Sequence, residues 1–403
     1  MKNQIKGKEI KSLPYGRHKI DSNDIKAVTD VLKSDFLTSG PKSNEFELEF
    51  SKFVKSKYSV VFSSGTAALH IAGIALGIQK GDVVIVPSIT FLASANAFKF
   101  LGAEIIFTDV DYETGLMSVD FLEKVIQQNR EKKIKAVVSV HLNGQPTNLD
   151  KIHEITKKYN LIHIEDACHA LGGTFKGTRI GECKYSDVTM FSFHPVKLLA
   201  MGEGGIISTN SRIIMEKLKL LRNHGIERDP KKFINTNLAF DKFGNPNPWY
   251  YEMQNLGYNY RASDIHCALG LSQLKKVRSF LDKRKALTDA YDHKFLNDFK
   301  LIKPLKKIKW GKSGLHLYVV KIDFKKLMVD KSSFMMDLQK RGIYTQVHYI
   351  PLFFQPYYRI KSFKEFEGSL KYYEQTLSLP LFPSMNIKDV DYVVDNIKEV
   401  LID

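Results

Sequence analysis

Between residues 58 and 209, short apolar runs alternate with helical stretches, and no other feature constrains the fold of this chain as tightly. YSVVF leads through a Ser/Gly turn into the small-residue stretch TAALHIAGIALGI. VVIVPSITF leads into a helical pattern from Ala93. EIIFTDV, AVVSVHL, LIHIEDA, VTMFSF and GGIIST continue the series, with helical stretches such as Leu149 to Tyr159 between several of them. Runs apolar at every position belong to strands covered on both faces. Helices between them imply a parallel sheet packed on both sides. From about Asn259 the pattern changes. SDIHCALGLSQLKKVRSFLDKRKALTDAYDHKFL reads as one long helical region broken once, and the strand-like runs HLYVVKID and YTQVHYI follow, mixed with helices. The expected fold class is α/β. A large domain covers residues 1–260, a connecting helix 261–284, and a smaller C-terminal α/β domain 285–403. The 403 residues, 43% of them hydrophobic, suffice for two cores.

Composition narrows the function classes. The three cysteines, Cys168, Cys183 and Cys267, are too few and too scattered for a disulfide framework, and none forms a CxxC pair. A reducing cytoplasm is expected, with no metal site. The N-terminal MKNQIKGKEIKSLPYGRHKID is polar and lysine-rich, unlike a signal peptide. No window reaches the ~18 apolar residues of a membrane span, so no membrane partner is expected. The net charge of +16, from 60 basic and 44 acidic residues, admits nucleic acid, an anionic membrane or a phosphorylated substrate. The dense stretch from Lys306 to Lys312 carries no RNP, zinc-finger or helix-turn-helix pattern. A solvated, lysine-biased surface is the simpler account, and no nucleic acid partner is expected.

In an open parallel α/β sheet, ligands bind at the carboxyl ends of the strands. Three such ends carry chemistry. After VVF comes Ser63-Ser64-Gly65-Thr66 at a helix start, where free N–H groups beside a glycine form an anion site; an ordinary Ser/Thr cap explains the same residues. After LIHI comes Glu165-Asp166. A carboxylate at a buried strand end is costly without a cationic partner, and a protonated pyridine nitrogen is one such partner; a helix cap is the alternative. After VTMFSF comes His194-Pro195-Val196-Lys197, then Gly202-Glu203-Gly204-Gly205. Burial lowers a lysine pKa from about 10.4, and a neutral amine attacks an aldehyde to form a Schiff base; a solvated loop lysine is the bland reading. Together, a phosphate cradle, a ring-nitrogen carboxylate and a Schiff-base lysine on successive strand ends are what pyridoxal 5'-phosphate needs. Phe91, at the end of VVIVPSITF, is placed either to stack on the cofactor ring or in the core.

The runs SSGTAAL, EDACHALGG, FSFHPVK, GEGG and GYNYRASDIHCALGLSQLKK resemble the DegT/DnrJ/EryC1/StrS sugar aminotransferases, over about residues 14 to 400. NPWYYEMQNLGYNYR and TQVHYIPLFFQPYY are similar to the branch of that family acting in pseudaminic acid biosynthesis. His169, where family members often carry glutamine, agrees with that branch. The resemblance implies a type I pyridoxal-phosphate aminotransferase fold, a large domain with a mostly parallel sheet plus a smaller C-terminal α/β domain. It also implies a homodimer with shared active sites. By motif, Lys197 carries the Schiff base and Asp166 pairs with the pyridinium. Gly65, Thr66 and Ser192 hold the phosphate, His169 lies at the cofactor, and Asn259 reaches the partner subunit's phosphate. His348 and Tyr349, with Gln355 nearby, fall in the segment that closes the sugar site; aromatic packing explains Tyr349 equally and Gln355 better. Tyr318 falls either in the core or near the site.

The substrates implied are L-glutamate and a UDP-linked 2-acetamido-2,6-dideoxy-hexos-4-ulose, aminated at C4; another nucleotide-linked keto-sugar is the alternative. Two other readings fare worse. Related sugar 3-dehydratases carry His where Lys197 stands, and a regulatory protein has no use for a complete set of cofactor motifs.

Overall fold

The computed structural model describes residues 4, 5, 8, 9, 11–360 and 362–401. Two helices, α1 (Ser22–Leu32) and α2 (Pro41–Val54), precede the main sheet. Its seven strands are β1 (Tyr58–Phe62), β2 (Val83–Pro87), β3 (Glu104–Thr108), β4 (Ile134–Val140), β5 (Ile162–Asp166), β6 (Val188–Ser192) and β7 (Gly205–Thr209). Their order across the sheet is β1-β7-β6-β5-β4-β2-β3. The pairs from β6 to β3 are parallel, while β7 runs antiparallel to both β1 and β6. The exception has a local cause. A twelve-residue loop, not a helix, joins β6 to β7, so the chain turns back beside the strand it has just left.

Alternate residues of each strand enter different cores, as the pleat requires. Val60 and Phe62, Val84 and Val86, and Val188 and Met190 enter one layer. Val61 and Phe191 enter the layer opposite, and Ile85 a third cluster. The first layer is roofed by α3 (Gly65–Ala75), whose Ala67, Ala68, Ala72 and Ala75 bring it close to the sheet. The helix α4 (Ala93–Lys99) packs beside α3.

The long helical region breaks once, as expected, into α5 (Asp264–Leu274) and α6 (Val277–Asp298). The second sheet is antiparallel, in the order β8 (Ile302–Pro304), β9 (Tyr318–Ile322), β10 (Thr376–Leu379). A stripe of α6, Leu287, Tyr291 and Phe295, packs with Val320, Ile322, Leu377 and Leu379 in a separate core. Arg284 on the same helix is fully buried and donates to the carbonyls of Leu315, His316 and Leu381. Burial pulls its pKa down to about 10.

The run YTQVHYI departs from its strand-like pattern. Only Gln346 bridges to Ser378 of β10. The segment then leaves the small sheet: Pro351 has no N–H to offer, and the N–H of Leu352 is taken by Ser88 O, just past β2, at 2.8 Å.

Candidate active site

A cavity of about 620 Å³ opens at the carboxyl ends of β1, β2, β4, β5 and β6, and residues 346–350, Leu352 and Gln355 wall it from the other side. Each of the three expected strand ends contributes to it.

At the end of β1, Ser64 caps α3 by accepting the N–H of Ala67, so the expected cap is present. The N–H groups of Gly65 and Thr66 remain, and neither donates to any described residue. Unpaired amides at the positive end of a helix dipole favour an anion. Register completes the cradle. Phe62 of β1 and Ser192 of β6 both stand opposite Gly205 of β7, which sets Ser192 beside Gly65. The fit is tight: a Cβ on Gly205 would come within 2.5 Å of Ser64 O.

At the end of β5, alternation sends Glu165 and Asp166 to opposite faces. Glu165 accepts from His141 Nε2 at 2.7 Å and from the hydroxyls of Ser186 and Thr189. Burial opposes its ionisation, but these hydrogen bonds outweigh it and hold the carboxyl below its usual range. Glu165 is structural. Asp166 lines the cavity and is 5% exposed. Its Oδ2 accepts from Ser94 Oγ at 2.6 Å and its Oδ1 from the Cys168 N–H at 3.1 Å. Among the described residues no salt bridge reaches it. A buried, hydrogen-bonded carboxylate without a cation suits a cationic ligand atom.

Lys197 sits in the loop between β6 and β7. Leu198, Leu199 and Met201 bury into the core beneath and anchor the loop. The N–H of Lys197 donates to His194 O at 2.8 Å, and that of Met201 to Phe193 O at 2.9 Å. The half-buried side chain faces the cavity. Desolvation lowers the pKa of its amine, and Cys168 and Asp166 oppose that only in part.

The opposite wall carries His348 and Tyr349. Burial, then Lys197, lowers the His348 pKa to about 3, and its Nδ1 meets Ser378 Oγ at 2.8 Å. The Tyr349 hydroxyl lies 3.2 Å from His169 Nε2. Burial, then Lys197, keeps His169 neutral as well.

The cavity thus gathers Gly65, Thr66, Phe91, Asp166, His169, Ser192, Lys197, His348, Tyr349 and also Gln355. Phe91 is 55% exposed at the mouth, 6.0 Å between ring centres from Tyr349. Asn259 does not line the cavity; it is exposed and bridges to Asn223. Tyr318 belongs to the small-sheet core, stacked on Tyr291 and bonded to Asp292. Sequence reasoning missed Ser94 and Tyr15. Thr90 and Ser94, four apart after β2, pass a hydrogen bond to Asp166, a spacing that was available to find. Tyr15 reaches the cavity from a distant N-terminal segment and left no local signal.

Residues 18–398 match the DegT/DnrJ/EryC1/StrS aminotransferase family. The chain belongs to this family. As a DegT-family aminotransferase it acts on a nucleotide-linked sugar and uses pyridoxal 5'-phosphate. The chain is 36% identical, over 96% of its length and 97% of the relative's, to the UDP-4-amino-4,6-dideoxy-N-acetyl-beta-L-altrosamine transaminase of Campylobacter jejuni serotype O:2. It shares its fold with Helicobacter pylori PseC, described as an aminotransferase involved in the biosynthesis of pseudoaminic acid. That match has a TM-score of 0.86 and 29% identity, and covers 97% of this chain and 100% of the other. It is also similar to the PLP-form of the putative sugar aminotransferase Spr1654 from Streptococcus pneumoniae, with a TM-score of 0.85 and 28% identity over 97% and 99% of the two chains. The cavity fits the DegT-family cofactor: paired free amides beside Ser192 for a phosphate, an unpaired carboxylate for a ring N–H, and a desolvated amine for an aldehyde.

Proposed function

We propose that this aminotransferase moves the amino group of L-glutamate to C4 of a UDP-linked 2-acetamido-2,6-dideoxy-hexos-4-ulose. The product would be UDP-4-amino-4,6-dideoxy-N-acetyl-β-L-altrosamine, an intermediate of pseudaminic acid biosynthesis. The observation that carries the chemistry is the desolvated Lys197 amine in one cavity with Asp166 and the Gly65–Thr66 amides. The choice of sugar rests on likeness to the Campylobacter enzyme over nearly the full length of both chains.

Pyridoxal phosphate supplies an aldehyde carbon that takes up an amine and a ring that draws in the electrons left when a proton departs. Gly65, Thr66 and Ser192 would hold its phosphate, and Asp166 would keep its ring nitrogen protonated. Ser94 and the Cys168 amide hold Asp166 in place. Phe91 and His169, which line the same cavity, would lie near the ring. The Lys197 amine, its pKa lowered by burial, would remove the proton from the α-carbon of glutamate, and in the second half would deliver a proton to C4 of the sugar. His348 and Tyr349 face the sugar. Water consumed as 2-oxoglutarate leaves is returned when the keto-sugar gives up its oxygen.

The functional unit we propose is a homodimer in the cytoplasm. Between residues 234 and 256 the chain exposes Ile234, Leu238, Phe243, Trp249, Met253 and Leu256, apolar side chains that a partner subunit would cover. Asn259 lies next to that stretch and would reach the partner's phosphate. Light scattering should give twice the chain mass.

The substrate is tested by single half-reactions of the purified, cofactor-loaded enzyme with a panel of UDP- and dTDP-linked keto-sugars. The UDP-linked 4-keto sugar with a 2-acetamido group should regenerate the yellow cofactor form fastest. A faster dTDP-linked or 3-keto sugar would refute this choice.

A further inference from the structure

His169 sits between two partners of different kinds. The backbone N–H of Asn143, in the turn after β4, donates to His169 Nδ1 at 3.3 Å. A peptide N–H only donates, so Nδ1 must carry the lone pair. The turn that aims this amide has an uncommon backbone. Asn143 has φ of 61° and Gly144 φ of 97°, both in the left-handed region. A Cβ on Gly144 would approach Leu315 N at 2.8 Å and His169 O at 2.9 Å, so only glycine fits between them. On one face His169 packs against the His316 ring, 4.2 Å between centres, and His316 is buried and neutral. Among the described residues no carboxylate pairs with His169, and burial with the nearby Lys197 holds its pKa well below the ordinary value. Its single ring proton is therefore on Nε2, and Nε2–H donates to the Tyr349 oxygen at 3.2 Å. The Tyr349 hydroxyl has no other hydrogen-bond partner among the described residues. Burial holds its pKa well above the ordinary value, so it keeps its proton. That proton cannot point at His169.

We propose that His169 is a positioning residue: by donating to Tyr349, it fixes the tyrosine hydroxyl as a hydrogen-bond donor to the keto oxygen of the sugar bound beside Lys197. This rests on the aminotransferase reading of the cavity. A site that requires an acceptor oxygen at this point selects a carbonyl and disfavours a ligand that presents only a donor.

The test uses the cofactor-loaded enzyme and follows cofactor absorbance in each half-reaction. Tyr349→Phe should slow the half-reaction with the keto-sugar at least ~10-fold more than the half-reaction with the amino donor. His169→Leu should do the same. His169→Gln should recover most of the loss, because a glutamine carbonyl accepts from Asn143 while its amide donates to Tyr349. Equal losses in both halves or no rescue by glutamine would overturn the proposal. A second readout needs no turnover. In 15N-histidine spectra, the imidazole that disappears in His169→Gln should show a bare Nδ1 and a protonated Nε2; the opposite tautomer would overturn the proposal. If the wild-type enzyme fails to aminate the keto-sugar at all, it is the function that falls, and the tautomer result still stands or falls separately.

Discussion

At the scale of single residues, the site turns on an amine and a carboxylate that the fold treats differently. Lys197 loses solvent and its pKa falls, while Asp166 keeps two hydrogen-bond donors. Replacing Lys197 with alanine should cut turnover by at least ~1,000-fold, because the proton carrier is gone. It should also remove the absorbance of the lysine-linked cofactor, which a spectrum of the purified variant checks. Asp166→Asn keeps the shape but loses the fixed charge. It should retain cofactor binding while turnover falls on the order of 100-fold, as steady-state kinetics would record. Both residues were legible in the sequence because each follows an apolar run, and strand ends are where this fold class puts ligands. The hydrogen bonds that tune them were less so. Ser94 reaches Asp166, and Tyr349 reaches His169 across 180 residues of chain, only because tertiary packing brings them together. Asn143 sits in a turn whose left-handed backbone leaves little trace beyond an Asn-Gly pair.

At the scale of elements, the periodicity of apolar runs located every strand of the large sheet, because strands buried on both faces admit few polar residues. It did not reveal that β7 runs against its neighbours. Direction depends on the connection, and the β6–β7 loop is apolar enough at Leu198 to Met201 to pass for part of a helix. The misreading of YTQVHYI has the opposite origin. Its composition imitates a strand, but beyond the Gln346 bridge its consecutive residues 346–350 wall a cavity and pair with no further strand among the described residues. The antiparallel β7 also places Gly205 where the cradle is tightest. Gly205→Ala should therefore destabilise the protein by about 1–3 kcal/mol, since backbone at 2.5 Å must move. It should also weaken cofactor binding, because the displaced atoms, Ser64 O and Gly65 N, belong to the cradle. Denaturant unfolding and cofactor titration would measure the two effects separately.

At the scale of the whole molecule, buried histidines link stability to pH. His348 binds a proton near 6.5 when unfolded but only near pH 3 when folded. Below 6.5 the unfolded chain therefore holds more protons, and stability falls as the pH falls towards 3; above 6.5 this contribution is fully present. His163, His169 and His316 shift in the same direction through burial and add to the slope. Urea unfolding between pH 7.5 and 5 should show stability declining on the acid side by an amount on the order of a few kcal/mol. His348→Gln should flatten that decline. The segment bearing His348 has a further consequence. It is tied to the small sheet at Gln346 and to the large one at Leu352, and the wall residues lie between those tethers. The groups placed to hold the cofactor belong almost entirely to the large sheet and its loops. On the proposed function, changes confined to the short stretch between the tethers would alter the choice of acceptor and leave the cofactor site as it is. Grafting residues 347–350 from a relative with another acceptor should change which sugar is aminated and leave affinity for pyridoxal phosphate nearly untouched.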